Sequence, residues 1–528
     1  MPKVRVVVTL LCSMLVGTVS YGNESDPGSV DASVKSTLGG CAGSMDVPEV
    51  IRYTAEEFYR LIDYRPVWNR LRTRRLALAL PGLADDGLDV AEFSERYLSR
   101  AETDNQCSDF AATVAYLSAL HQLQFGRWDR SEIAPIWREP SVASGTIIHD
   151  STSLARLGLK HLDQPSVAFD LARPSLDMYA DLRRGMLEWR RRYAGVQWPL
   201  VREGVVLKPG MSDDRVPALR ARLAAQNYLP ASNTPAADKR YDPEIVNALK
   251  NFQQQHGIRV DGILGQETLG ALNRSADYRM RQIAINLERL RWLSADWEPD
   301  LLLVDIAGAY AYLYNKGTVI WQGRVQVGRG SRPTPSLKSR INRLTFNPTW
   351  TVPPTIYRKD KLPKIRRDTD YLKKNHIRVF DQEGRELDPE AIDWQDPGAV
   401  ILRQDAGAAS ALGVVAFRFS NPFAVYLHDT PNQELFEHYQ RTFSSGCVRV
   451  EGAVDLADLL FACADEQTRL RVDAIRQSGD TKDVLLPEPI SILMDYWTVT
   501  ADDSGDVRFR PDIYHRDAAM MARMLDPP

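Results

Sequence analysis

A cysteine and a histidine in one short segment are the residues of this sequence best suited to covalent chemistry. The segment YLHDTPNQELFEHYQRTFSSGCVRV, residues 426–450, holds His428 at the end of a strand-like run and Cys447 after a helical or irregular excursion. A thiolate is the attacking species, and a free thiol with a pKa of about 8.5 is only partly ionised at neutral pH. We therefore expect Cys447 to be a nucleophile and His428 to be its proton-accepting partner.

The residues that flank the cysteine carry groups that suit acyl transfer. Gly446 permits close backbone approach, and the N–H groups from Ser445 to Cys447 are placed to hold a developing oxyanion. Arg449 lies two residues further on, so in an extended strand its side chain shares a face with Cys447 and can steady a thiolate or bind a substrate carboxylate. A buried cysteine in a strand is more often structural, so a bare pair of Cys and His does not decide the matter.

The order of these residues resembles the catalytic motif of the YkuD-type L,D-transpeptidases. In that family a His is followed, after a gap, by Ser/Thr-His-Gly-Cys-x-Arg, and here His428 is followed by Ser-Ser-Gly-Cys-Val-Arg at 444–449. Ser445 stands where many members carry a second His, as in the large Gram-negative subset that bears SSGC. The resemblance therefore leaves His428 as the sole imidazole partner of Cys447.

The resemblance extends beyond this motif. Residues 325–356 resemble a strand segment of the family in which Gly-Arg, Thr-Pro and Asn-Pro-x-Trp recur, and the terminal DYWTVTADDSGDVRFRPDIY also matches. The order of the parts is similar to that of the large YcbB-type enzymes. We expect Tyr426, Trp350 and Ser444 to contact substrate, with a core role as the alternative for Tyr426 and Trp350. Tyr426 precedes His428 by two residues, so both share one strand face.

The resemblance implies a two-step acyl transfer on peptidoglycan. Cys447 attacks the carbonyl of the third, diamino-acid residue of a tetrapeptide stem and expels the terminal D-alanine, while His428 accepts the thiol proton. The side-chain amine of a second stem then resolves the thioester as a 3-3 cross-link. Water or another amine as acceptor, which would give a carboxypeptidase or a protein-attaching enzyme, stays open. No cofactor or metal is expected, since the eight histidines show no HExxH spacing.

A rival of another class is a wall-binding scaffold with an inactive catalytic domain. Whether the protein is an enzyme or a scaffold, we expect its partner to be peptidoglycan, through the donor and acceptor stems. Other wall-synthesis enzymes are a further candidate for a partner. The net charge of −3 does not favour nucleic acid. We expect no membrane span once the export signal is cleaved.

The pattern along the chain predicts an α+β multidomain protein with a helical scaffold, a three-helix peptidoglycan-binding module and a β-rich catalytic domain that carries a helical capping insertion. The predicted parts are a signal peptide at 1–22, a flexible leader at 23–47, a helical scaffold domain at 48–205, a peptidoglycan-binding domain at 206–275, a linking helix at 276–298, a catalytic domain at 299–485 with its insertion at about 357–412, and a C-terminal hairpin and tail at 486–528.

The small module is predicted from a helix at 216–225, a second helix at 243–256 and the run GIRVDGILGQETLGALN. Its FQxxxGIxxDGxxGxxTxxAL pattern resembles a peptidoglycan-binding module, and a helical spacer without ligand is the alternative. The next helix, 278–293, is expected to carry Arg279 and Arg281 on its polar side. Further on, alternating apolar residues predict strands at 339–346, 414–417 and 424–427, a hairpin that turns at 315–317 and another within 490–514 that turns at 503–505.

Basic residues open the capping insertion with YRKDKLPKIRRD. Arg358, Lys361 or Lys364 can meet the carboxylates of a peptide stem, and a solvated basic helix is the equally weighted alternative.

An export signal is expected because Lys3 and Arg5 precede an apolar run at 6–16 and small residues follow it; an uncleaved anchor is the alternative. The protein is therefore expected in the periplasm. Of the cysteines that follow, Cys41 and Cys107 are candidates for a pair that sequence alone does not establish, and Cys463 is expected to be an inert core residue.

Overall fold

The computed structural model describes residues 40–41, 45–99, 107–140, 150–230 and 238–525. The expected signal peptide lies outside these residues. In the described part of the chain no helix combines the length and the apolar character needed to cross a bilayer.

The N-terminal region is helical and packs around one buried helix. Its helices are α1 (Glu49–Arg60), α2 (Arg70–Ala79), α3 (Val90–Phe93), α4 (Ser108–Phe125), α5 (Arg130–Ile133), α6 (Ser151–Lys160), α7 (Pro165–Ala172) and α8 (Asp177–Tyr193), with a 3₁₀ turn at Leu80–Asp86 and a π-helical turn at Ser94–Leu98. Helix α4 is buried almost all round, because apolar residues occur on every face of it and leave no continuous polar face. A disulfide joins Cys41 to Cys107, the residue before α4. These are the two cysteines that the sequence offered as a candidate pair.

The small helical module has its own core. It comprises α9 (Val216–Ala225), α10 (Pro243–Gln255) and α11 (Gln266–Leu272), packed on buried Leu249 and Phe252. The Asp-Gly turn after α10 is fixed by Gln253, whose side-chain oxygen accepts the N–H groups of Asp261 and Gly262 at 3.1 and 2.8 Å. Gly262 has a φ of +69°, which explains the glycine.

A long helix, α12 (Ala276–Asp296), follows the module and is buried over most of its length. Arg279 corrects an expectation, because it is only 6% exposed and its guanidinium lies 4.6 Å from the centre of the Phe509 ring rather than on a polar face. Arg281 does face solvent, where it pairs with Asp277. The difference arises because the C-terminal segment covers the helix face that carries Arg279.

The C-terminal half forms a closed sheet. Its strands are β1 (Trp137–Arg138), β2 (Leu301–Asp305), β3 (Tyr310–Asn315), β4 (Thr318–Gln326), β5 (Leu337–Phe346), β10 (Val415–Phe419), β11 (Leu427–His428), β12 (Val448–Val450) and β13 (Lys482–Asp495). The order is β1-β5-β10-β11-β12-β4-β3-β2-β13, and β13 also pairs with β5. That last pairing closes the strands into a barrel around a core that includes Val325, Leu427 and Val448.

Smaller elements surround the barrel. The insertion holds β6 (Trp350–Thr351), β7 (Ile377–Phe380), β8 (Glu386–Leu387) and β9 (Ile401–Gln404), the short helices α13 (Pro354–Ile356), α14 (Leu362–Ile365) and α15 (Asp370–Lys374), and a π-helical turn at Tyr357–Lys361. After β12 come α16 (Ala453–Leu460) and α17 (Glu466–Ser478), and the chain ends with β14 (Val499–Ala501), β15 (Val507–Phe509) and α18 (Arg516–Leu525). The predicted α+β multidomain architecture is confirmed, but the insertion that was expected to be helical also contains a sheet of order β6-β9-β7-β8.

Three local predictions differ from the structure. The strand expected at 424–427 is confined to β11, because Ala424 has a φ of +53° and the Asn421 side chain accepts two N–H groups of this turn. The C-terminal hairpin is β14–β15 alone, since the residues before it belong to β13. Cys463 is exposed rather than core, because α16 ends at Leu460 before reaching it.

Candidate active site

Two adjacent parallel strands bring the predicted catalytic residues onto one face. In the β11–β12 pair, Leu427 lies opposite Val448 and His428 lies opposite Arg449. Leu427 and Val448 point into the barrel core. Because side chains alternate along a strand, His428 and Arg449 point to the other face, and Tyr426 and Cys447 at the strand starts share it with them.

The imidazole of His428 is oriented by a backbone carbonyl. Its Nδ1 lies 2.5 Å from the carbonyl oxygen of Asp429, and only a protonated Nδ1 can donate there, so the free lone pair is on Nε2. The Asp429 carboxylate instead accepts the N–H of Val414 at 3.0 Å. Burial, followed by the positive charge of Arg449, lowers the pKa of His428 to about 3. The ring is therefore neutral near pH 7.

The thiol of Cys447 is partly exposed beside this face. Its Sγ lies 4.0 Å from the carbonyl oxygen of Ala424. Burial raises the pKa of Cys447, and the backbone N–H of Tyr426 and the guanidinium of Arg449 oppose that rise. Between the described residues no hydrogen bond joins Sγ to the imidazole. A neutral thiol next to a neutral imidazole can react when the imidazole removes the proton during attack, because no preformed thiolate is needed.

Hydrogen bonds within the loop before Cys447 decide which N–H groups remain free. The Ser444 hydroxyl donates to the carbonyl of Cys447 at 2.5 Å and accepts the N–H of Gly446 at 3.1 Å. Gly446 has a φ of +117°, which favours glycine, and its carbonyl accepts the Thr334 hydroxyl at 2.9 Å. Within the described ranges, the N–H groups of Ser445 and Cys447 have no hydrogen-bond acceptor. These two groups are therefore the candidate oxyanion donors.

Ser444, which we expected to contact substrate, hydrogen-bonds within its own loop. It is 2% exposed, and its hydroxyl is fully engaged with the backbone of its own loop. These hydrogen bonds hold the loop, and the substrate contact of Ser444 stays a prediction. The short loop places Ser444 under the turn that Gly446 makes, and this follows from backbone geometry that the sequence pattern does not reveal.

Ser445 and Arg449 lie on the two flanks of the thiol. The Ser445 hydroxyl accepts hydrogen bonds from Arg332 at 2.9 Å and from Arg329 at 3.1 Å. Arg449 donates from Nη1 to the side-chain oxygen of Gln326 at 3.0 Å. The Nε of Arg449 and the side-chain nitrogen of Gln326 are buried donors without a protein acceptor in the part of the chain described. An incoming carboxylate would satisfy such donors.

Tyr426 lies beside the thiol and is hydrogen-bonded to Trp350. The Tyr426 ring is 5.6 Å from the His428 ring, and the Arg418 guanidinium lies 4.6 Å above it. Burial raises the pKa of Tyr426, while Arg418 and a hydrogen bond with Trp350 oppose the rise. Lys361 of the insertion lies 5.2 Å from the Trp350 ring centre. Trp350 belongs to β6 and pairs with β9, so it forms the boundary between the barrel and the insertion.

Several residues of the site were not predicted as functional. The loop at 444–446, before the nucleophile, is called the nucleophile loop. Four residues that are distant from it in sequence contact it or its support: Arg332, Thr334, Asp360 and Tyr514. Three of them lie within segments that resemble the family, and that resemblance is the sequence feature that could have identified them. No sequence feature pointed to Asp360, which lies in the insertion. Of the basic residues predicted there, Lys361 is held by Tyr371 at 2.9 Å, whereas Arg358 and Lys364 are exposed.

Comparison with known families agrees with this site. Residues 299–471 match the YkuD model, described as an L,D-transpeptidase catalytic domain. Residues 212–272 match a model described as "Putative peptidoglycan binding domain", and residues 54–186 match a scaffold domain. The chain therefore carries a YkuD-type L,D-transpeptidase catalytic domain together with a peptidoglycan-binding domain.

Individual relatives cover only parts of the chain. It is 34% identical over 243 residues to a Haemophilus influenzae protein named "Putative L,D-transpeptidase", a match that covers 45% of this chain and 48% of that protein. The chain thus spans about half the length of that relative. It is also 44% identical over 70 residues to the N-acetylmuramoyl-L-alanine amidase CwlL of Bacillus licheniformis, covering 13% of this chain and 19% of the amidase.

Among solved structures, the chain is similar to one described as the Ldtfm-avibactam carbamoyl enzyme, at 11% identity and a TM-score of 0.20. That match covers 40% of this chain and 63% of the other.

Proposed function

We propose that this protein is a periplasmic L,D-transpeptidase that forms 3-3 cross-links in peptidoglycan through an acyl-enzyme on Cys447. The observation that carries the proposal is the shared face of β11 and β12. On that face lie a free thiol and a neutral imidazole whose Nε2 lone pair is available, and the adjoining loop has two backbone N–H groups with no acceptor among the described residues. Nucleophile, base and oxyanion donors are the three parts that acyl transfer needs.

In the first step Cys447 takes the acyl group of the donor stem. As Sγ attacks the carbonyl carbon of the third residue, its proton passes to Nε2 of His428. The negative charge on the carbonyl oxygen is held by the N–H groups of Ser445 and Cys447. When the tetrahedral species collapses, the C–N bond to D-alanine breaks and the imidazolium returns the proton to the leaving amine. The products are a thioester and free D-alanine.

In the second step an acceptor amine attacks the thioester. His428 accepts a proton from the amine, the C–S bond breaks, and the proton returns to Sγ. The new amide joins the third residues of two stems, which is a 3-3 cross-link. With water as acceptor the same step releases a tripeptide, and with a protein amine it attaches that protein to the wall.

Recognition of the stem is assigned to the donors beside the thiol. Arg449 and Gln326 hold buried N–H groups that can receive a stem carboxylate. Tyr426 and Trp350 form an aromatic wall against which the stem can pack. The peptidoglycan-binding domain would retain the enzyme on its polymeric substrate. We also propose the domain boundaries that the sequence predicts, export by a signal peptide and acylation of Cys447 by carbapenems.

Product analysis tests the proposal. Mature protein is incubated with disaccharide-tetrapeptide, and products are resolved by mass. A dimer formed with loss of one D-alanine is expected. Tripeptide alone would make the enzyme a carboxypeptidase, and a protein-linked stem would indicate wall attachment. If Cys447→Ala forms dimer at the wild-type rate, the catalytic role of the cysteine is wrong. If the wild-type protein forms neither dimer nor tripeptide, a binding scaffold becomes the better description.

A further inference from the structure

One turn of the capping insertion reaches directly into the support of the nucleophile loop. Within the π-helical turn Tyr357–Lys361, the Asp360 carboxylate forms an ion pair with Arg332, with a second contact of 3.2 Å between Nη2 and Oδ1. It also lies 3.4 Å from Arg329. These two arginines are the donors to the Ser445 hydroxyl. A chain of polar contacts therefore runs from the insertion to the residue two before Cys447.

The carboxylate is the counter-charge for both guanidinium groups. No other carboxylate in the described ranges lies within ion-pair distance of Arg329 or Arg332. The Arg332 side chain is only 15% exposed and that of Asp360 is 30% exposed, so water screens the group incompletely. Without Asp360, two cations would converge on one hydroxyl oxygen, and their mutual repulsion would move at least one of them away.

The loop needs this support at Ser445 more than elsewhere. Ser444 is held by its own backbone contacts, and Gly446 is held by Thr334. The Ser445 side chain, by contrast, has only the two arginines as partners within the described chain. The N–H of Ser445 is one of the two free donors of the site, so the position of its peptide decides how well an oxyanion is held.

We propose that Asp360 is a positioning residue for the oxyanion site, acting through Arg332 and Ser445. The inference deepens the proposed function and rests on it. In this proposal the insertion has a direct part in acylation, because its π-helical turn sets the position of the Ser445 peptide. π-helical turns are rare in proteins, and they occur frequently at functional sites.

Two reactions of the same thiol separate this role from a general structural one. Acylation of Cys447 by a carbapenem passes through a tetrahedral oxyanion, whereas alkylation by iodoacetamide does not. Asp360→Asn is expected to slow acylation about tenfold, since loss of a whole oxyanion donor costs about 100-fold or more, and to leave alkylation unchanged. Asp360→Glu should restore most of the acylation rate. Arg332→Gln breaks the same link from its other end and should give the same split.

The matched control is Asp368→Asn, which removes an exposed ion pair with Lys374 elsewhere in the insertion and should change neither rate. Wild-type acylation by Asp360→Asn would overturn the inference, and so would equal slowing of both reactions, since Asp360 would then act on the thiol itself. If the wild type is alkylated but takes no acyl group from carbapenem or tetrapeptide, the proposed function fails instead.

Discussion

Two buried histidines are alike in their exposure, in the hydrogen-bond partner of Nδ1 and in the direction of their pKa shift. They differ in the side chains that contact the ring. His256, at the end of α10, and His428, at the end of β11, are each 4% exposed. Each places Nδ1 against a backbone carbonyl oxygen, at 2.8 Å from Phe252 and 2.5 Å from Asp429 respectively. Burial is the largest cause that lowers the pKa of both.

The remaining neighbours separate the two sites. The His256 ring is stacked between Phe252, at 3.9 Å between centroids, and Phe509, at 5.2 Å. It therefore joins the peptidoglycan-binding domain to the C-terminal hairpin through aromatic packing. His428 instead faces Tyr426, Cys447 and Arg449. A neutral buried imidazole becomes a base only where a proton donor and an approach for substrate exist beside it, so burial and tautomer alone do not identify function.

The sharpest separation is expected from His428→Gln. Loss of the base should lower kcat/KM for the tetrapeptide by about 100-fold to 10,000-fold, the usual range for general-base catalysis. The thermal midpoint should change little, because Gln can still donate to the Asp429 carbonyl. Initial rates and a melting curve on the same preparation check both parts. A variant that keeps more than half of the wild-type rate would exclude His428 as the base.

Tyr514→Phe probes the support behind the His428 site. The Tyr514 hydroxyl donates to the carbonyl of Gly328 at 2.6 Å and accepts the N–H of Thr334 at 3.1 Å. Thr334 in turn holds Gly446. We expect kcat to fall about tenfold with KM nearly unchanged, because small misplacement of reacting groups is costly in rate. Tyr228→Phe, which removes a hydroxyl bonded to Gln255 in the small helical module, is the control and should retain more of the rate.

The pH dependence of thiol reactivity tests whether His428 is neutral in the resting enzyme. The raised pKa of Cys447 leaves less thiolate at pH 7 than a free cysteine would have, and the lowered pKa of His428 removes the imidazolium that would stabilise it. Alkylation of Cys447 by iodoacetamide, followed by peptide mapping to exclude Cys463, should keep rising through pH 9. A plateau reached below pH 7 would instead indicate a thiolate–imidazolium pair.

His256→Gln should show the opposite profile from His428→Gln. Loss of two stacked aromatic contacts is expected to lower the free energy of unfolding by about 1–2 kcal/mol, while activity per folded molecule stays within twofold of wild type. Chemical denaturation and steady-state rates measure the two effects. The exposed His376→Gln is the matched control and should change neither quantity.

The smallest expected effect is on the free energy of unfolding at acid pH, to which both histidines contribute. Each folded-state pKa lies below the ordinary value of about 6.5. Below that pH the two histidines are therefore more protonated in the unfolded chain than in the folded chain. Their contribution is fully present above pH 6.5 and is lost as the pH falls toward about 3 for His428. The free energy of unfolding should therefore fall less steeply below pH 6 in His256→Gln. An unchanged slope would contradict the lowered pKa.

The sequence predicted the parts of this site whose signal is local. The order of His428, Gly446 and Cys447 lies in one segment, and the helix at Val216–Ala225 and the turn between β3 and β4 have local apolar and glycine patterns. These predictions agree with the structure. The catalytic roles of the individual residues stay predictions until the variants above are measured.

The remaining features depend on contacts between distant segments. Closure of the barrel by β13 and β5, burial of Arg279 against Phe509 and the link from Asp360 to Ser445 each join residues far apart in the chain. Local periodicity carries no information about such pairs. The exposure of Cys463 was also missed, because an apolar run does not show where its helix ends.

The most direct test of the central claim is the mass of the intact protein during reaction with tetrapeptide. We predict an adduct equal to the stem less D-alanine, mapped to Cys447, that accumulates at the wild-type rate in His256→Gln and at least about 100-fold more slowly in His428→Gln. An adduct on Cys463, no adduct at all, or equal slowing in both histidine variants would contradict the account.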